Sequence, residues 1–80
     1  MPCYFFDIRD GEQLVPDDDG LDLATAQAAW AEAALSLADL AVDAIQANER
    51  PCQPVAIEVR DENGPVLVVR VAFEAQRRKH

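Results

Sequence analysis

Four aspartates, Asp17, Asp18, Asp19 and Asp22, crowd around Gly20. Clustered carboxylates are the ligands of hard divalent cations, which makes Asp17, Asp19 and Asp22 the candidate metal residues. Their spacing is not that of a helix-loop-helix calcium loop. In such a loop glycine is sixth, so oxygen ligands would fall at positions 15, 17 and 19, with a bidentate glutamate at 26. The chain has Val15, Asp17, Asp19 and Ala26 there. The competing reading is structural: the acids solubilise a turn and lie near the positive N-terminal end of the helix that follows.

Other chemistries find fewer residues. Serine-histidine catalysis needs an oriented imidazole, but the sole histidine is His80 and the sole serine is Ser36, inside a helical segment. Cys3 has no basic neighbour, and with Cys52 it is read as reduced and structural. Gly11, Gly20 and Gly64 fit turns and not a phosphate-cradling loop. Two-carboxylate glycoside hydrolysis needs a cleft, for which a single-layer fold has little room. The expectation is a non-enzymatic protein with no cofactor.

The charge pattern narrows the partners. The 80 residues carry a formal charge of −8, and half of them are apolar. Residues 1–49 hold eleven acids against Arg9 alone, whereas residues 50–80 hold four acids against six bases. Such a field repels phosphate backbones, so nucleic acid is not expected as the primary partner; a basic protein surface or a cationic ligand suits it better. No run of about 20 apolar residues suggests a membrane span, and Met1-Pro2-Cys3-Tyr4 lacks the basic start of a signal peptide. The expected compartment is the cytoplasm. The basic residues Arg77, Arg78 and Lys79 with His80 form a flexible tail, 77–80, after a single domain spanning 1–76.

The elements that position these residues follow from periodicity. Tyr4, Phe6 and Ile8 alternate with Phe5, Asp7 and Arg9, a half-buried strand. Asp10-Gly11 is a preferred pair for a two-residue primed turn, which sets Phe6 opposite Val15 and Asp7 opposite Leu14. From Ala24 to Asn48 there is neither glycine nor proline, and eleven residues are alanine, so this segment reads as one long helix. Asp22 or Thr25 can cap its start; Asn48, Arg50 and Pro51 suit its end.

At 100° per residue, Ala26, Ala29, Trp30, Ala33, Leu37, Leu40, Ala41 and Ala44 form a core stripe. Nearly opposite lie Ala24, Ala28, Ala31, Leu35, Ala38 and Val42, with a narrow polar strip of Thr25, Glu32, Ser36, Asp39 and Asp43. A helix on a sheet needs one apolar stripe, and this one has two. Either Leu35 and Val42 are scattered surface residues, or Ala28, Ala31, Leu35, Ala38 and Val42 form a self-association surface. So short a chain buries a thin core, which tips the reading towards a homodimer.

Beyond Pro54 the period returns to two: Val55, Ile57 and Val59 on one strand, Leu67, Val69, Val71 and Phe73 on the next. Their apolar sets share a face only if paired positions sum to an even number, for example Val59 with Leu67 and Ile57 with Val69, which selects a three-residue loop, Glu62-Asn63-Gly64, with Gly64 left-handed. The expected fold is α+β, in the order β-β-α-β-β: a four-stranded antiparallel sheet with one long helix packed on one face. The other face carries Phe5, Leu14 and Val68 among Asp7, Arg9, Glu58, Arg60, Arg70 and Glu74, with opposite charges placed to pair across strands.

The motifs Tyr4-Phe5-Phe6-Asp7-Ile8-Arg9-Asp10-Gly11, Pro16-Asp17-Asp18-Asp19-Gly20, Ala29-Trp30-Ala31-Glu32-Ala33 and Ala56-Ile57-Glu58-Val59-Arg60-Asp61-Glu62-Asn63-Gly64 resemble a family of short bacterial proteins. That family is common in soil and plant-associated alphaproteobacteria and is catalogued as a domain of unknown function. The resemblance implies a stand-alone, non-secreted bacterial domain and carries over no site residues. In pattern, the strand pair and acidic glycine turn before an alanine-rich helix are also similar to HicB-like antitoxins. This second resemblance implies an acidic domain that covers a basic partner protein.

Overall fold

A computed structural model of the chain describes residues 1–46 and 55–72, the side chain of Ala44 excepted. Its elements are β1 (Cys3–Asp10), β2 (Gln13–Val15), β3 (Leu21–Asp22), α1 (Ala26–Gln46), β4 (Val55–Asp61) and β5 (Gly64–Val71). All strand pairings are antiparallel, in the order β2-β1-β4-β5, with β3 on β1 as well. The helix lies on one face, against β4 and β5. The α+β arrangement expected from the sequence is the observed one, with one addition: Leu21–Asp22 forms a fifth, two-residue strand.

Alternation assigned the faces correctly. Tyr4, Phe6 and Ile8 of β1, Val55, Ile57 and Val59 of β4, and Leu67, Val69 and Val71 of β5 meet the helix through Ala29, Ala33, Leu37 and Leu40. The two helical alanines at the centre, Ala29 and Ala33, are fully buried. Their small side chains let the helix sit close to the sheet while Leu37 reaches Ile57 and Val59. Three described members of the expected stripe are not in this core: Ala26 is exposed, Trp30 is 53% exposed and Ala41 is only half-buried. Near its start the helix is covered on the Ala29 side only, so a wheel that treats every turn alike overstates the stripe.

Both turns differ from the expected ones by a small slip. The first hairpin pairs Ile8 with Val15, Arg9 with Leu14 and Asp10 with Gln13. Its loop is Gly11-Glu12, in place of Asp10-Gly11, with the positive φ that primed turns need at the first loop residue, 62°, supplied by Gly11. The shift is two residues, so every side chain keeps its face. In the second hairpin the predicted pairs Val59 with Leu67 and Ile57 with Val69 are present, but the loop has two residues, Glu62-Asn63, with Asp61 paired to Gly64. The Asp61 carboxylate accepts the Asn63 N–H at 2.8 Å and tightens that turn. The extra residue that brings the apolar sets together lies inside β5, where the register shifts between Val59 and Arg60 and leaves Val66 unopposed. Gly64 has a positive φ of 122°, well away from the left-handed helical value.

Of the two cap candidates, Thr25 is the one used. Its Oγ1 accepts the Ala28 N–H at 3.0 Å, whereas Asp22 is spent in β3 opposite Cys3. The predicted helix end at Asn48 to Pro51, Cys52, the continuation of the last strand to Phe73 and Glu74, and the basic tail lie outside the described residues.

Candidate functional site

The aspartate turn joins β2 to β3, and its geometry explains its composition. On an antiparallel strand, alternate residues present their backbone groups to the same edge. Along one edge of β1, Ile8 and Asp10 face β2 and Tyr4 faces β3, which leaves Phe6 between two short strands. The Asp17 carboxylate fills that gap: its Oδ2 accepts the Phe6 N–H at 3.1 Å. Its Oδ1 accepts the N–H groups of Asp19 and Gly20, at 3.0 and 3.3 Å. One side chain thus completes the sheet edge and folds the turn. Burial acts to raise the Asp17 carboxyl, but the three N–H donors and the charge of Arg60 outweigh it and hold it below the usual range.

Asp7 anchors the other end of this network. It is 7% exposed and is the buried charged residue among the described ones. Its Oδ1 accepts the Asp17 N–H at 2.9 Å, and its Oδ2 pairs with Arg60 Nε, also at 2.9 Å. Arg60 donates a further hydrogen bond to the Asp17 carbonyl at 3.2 Å and stacks over the Phe5 ring, 4.5 Å from its centroid. Asp7 lies directly opposite Glu58 on β4, a like-charge pair that repels when alone. The diagonals relieve it, because Arg60 takes Asp7 and Arg9 takes Glu58 at 2.6 Å. The hydrogen bond to Glu58 and its charge hold the Arg9 guanidinium above its usual value.

A groove of about 310 Å³ runs beside these groups, lined by Asp7, Glu58, Arg60, Pro65 and Val68. Each of its two carboxylates is ion-paired with an arginine, Asp7 with Arg60 and Glu58 with Arg9. Of the metal candidates, Asp17 has its carboxylate engaged by backbone donors, while Asp22 lies in β3, where its backbone pairs with that of Cys3. Among the described residues no group of three His, Cys, Asp or Glu side chains stands where it could hold a metal ion. The Asp7–Arg60–Asp17 link itself went unnamed at the level of sequence. Alternation placed Asp7 and Arg60 on one face, but the loop that delivers Asp17 has no periodicity to read.

The second candidate surface is the outward side of α1. Ala28 and Ala31 are half-buried by their neighbours and Ala38 is exposed. Leu35 is 66% exposed and Val42 50%. Ile45, not assigned to this face from sequence, is 63% exposed. The polar strip of Glu32, Asp39 and Asp43 borders the face, and α1 contains no basic residue. No described helix is long and apolar enough to cross a membrane.

A short antiparallel sheet with one covering helix, a charge lattice on its open face and an apolar outer helix surface define a small α+β domain. Residues 3–72 match the family described as a domain of unknown function, DUF6894, and the chain belongs to that family. No curated protein and no solved structure matches it.

Proposed function

We propose that the chain is a non-enzymatic protein-association domain of the cytoplasm that acts as a homodimer, joined through Ala28, Ala31, Leu35, Ala38 and Val42. The observation that carries this reading is the exposure of Leu35 and Val42 on the side of the helix away from the buried Ala29, Ala33 and Leu37. Covering the exposed part of each contributes roughly 1–2 kcal/mol per copy, and the alanines between them let a partner come close.

Replacing either residue with glutamate tests it. Leu35→Glu and Val42→Glu leave the core untouched, so both variants are expected to fold with wild-type melting behaviour when dilute and to sediment as monomers where the wild type is a dimer. A wild type that stays monomeric at high concentration, or glutamate variants that still dimerise, contradicts the reading. A second reading, an acidic partner of a basic protein, is supported by charge: Glu32, Asp39 and Asp43 are the charged residues of α1. It predicts a co-purifying basic protein whose complex weakens with added salt.

A further inference from the structure

We infer that the two helices of the homodimer run antiparallel, with a two-fold axis passing between Ser36 and Leu37. This rests on the self-association reading and adds the geometry of the partner, a second copy of α1. The outward residues Ala28, Ala31, Leu35, Ala38, Val42 and Ile45 are spaced alternately by three and four. That is the a and d pattern of a coiled-coil seam, with Ala28, Leu35 and Val42 at a and Ala31, Ala38 and Ile45 at d. The buried residues Ala29, Ala33, Leu37 and Leu40 lie on the other side of the same helix, so the seam is available without disturbing the core.

The sizes along the seam select the direction. In an antiparallel pair each a layer meets a d layer, so Leu35 meets Ala38, Val42 meets Ala31, and Ile45 meets Ala28. Each large side chain of the seam then faces an alanine, which is the alternation that lets layers interlock without voids. In a parallel pair the same residues would meet their own copies, packing leucine on leucine and valine on valine while alanine layers between them stayed apart. A helix of 21 residues is about 31 Å long and about 10 Å across, so two laid side by side bury on the order of 1,000 Å² in total, the threshold of a specific interface. No other partner is required by these positions to have that size order.

The flanks carry a second consequence. Glu32 and Asp39 occupy the e positions, and in an antiparallel pair e faces e, so Glu32 of each copy confronts Asp39 of the other. The dimer therefore tightens as salt screens the repulsion, opposite in sign to an acidic domain bound to a basic protein. Reversing one charge, Asp39→Lys, converts both contacts to attractions, and about tenfold tighter dimerisation is expected at low ionic strength.

Cross-linking tests the direction in a Cys3→Ser, Cys52→Ser background. Residue 31 of one copy lies beside residue 42 of the other and about 16 Å from its own counterpart, too far for a disulfide. An Ala31→Cys variant mixed with a Val42→Cys variant is expected to form the mixed disulfide on oxidation, and neither alone a self-linked dimer. Self-linking by Ala31→Cys, or weaker dimerisation by Asp39→Lys, overturns the antiparallel geometry. If sedimentation nevertheless shows a dimer, the self-association reading survives that result; a monomeric wild type removes both.

Discussion

The carboxylate of Asp17 stands where a stretch of strand would otherwise be, since it receives a backbone N–H that β2 and β3 are too short to reach. Its folded-state acidity is raised relative to an unfolded chain, because the carboxyl is held below the usual 3.8. The stabilisation is therefore complete above the unfolded value and is lost as pH falls through the folded one. Asp17→Asn is expected to cost about 1–3 kcal/mol near neutral pH, and denaturant titrations should show that gap narrowing below about pH 4. A gap that stays constant with pH would rule out the charge as its source. Gly20 in the same turn has φ 74°, and a Cβ there would stand 2.6 Å from Cys3 Sγ and 2.9 Å from Phe5 Cε1. Strain and overlap together predict about 2–4 kcal/mol lost in Gly20→Ala, measured by thermal or chemical unfolding.

Among the elements, period-two alternation was enough to read the faces of β1, of β4 and of β5 from Leu67 onward, because a slip of one residue would expose the whole apolar set; beside the bulge Val66 and Leu67 both pack against the core. Turns were less legible. Gly11-Glu12 and Asp10-Gly11 differ by a slip of two that leaves faces unchanged, so hydrophobicity cannot choose between them. At the second hairpin, parity demanded one extra residue but could not say whether it lay in the loop or, as at Val66, in the strand. Leu21–Asp22 is too short to show any period, and Asp17 acts through a loop. The helix start was legible as two candidates, of which geometry selects Thr25. Thr25→Ala should cost about 1 kcal/mol of stability by removing the acceptor for Ala28 N–H, measured by denaturant unfolding. An equal loss in Asp22→Ala and none in Thr25→Ala would reverse that assignment.

For the whole molecule, the sheet's open face and the helix's outer side have different characters. On the open face Asp7, Glu58, Arg9 and Arg60 satisfy one another, so its charges are largely consumed within the domain. On the helix, apolar side chains remain uncovered and the bordering acids have no basic residue beside them on α1. Added salt separates the two readings of that surface, since it screens acid from acid in a homodimer and acid from base in a mixed complex. The central claim is self-association through α1, and sedimentation equilibrium of the wild type beside Leu35→Glu tests it most directly. From about 10 μM to about 1 mM the wild type is expected to pass from monomer to dimer, more readily at high salt, while Leu35→Glu stays monomeric. A wild type that remains a monomer across that range, or a Leu35→Glu variant that dimerises equally well, would contradict it.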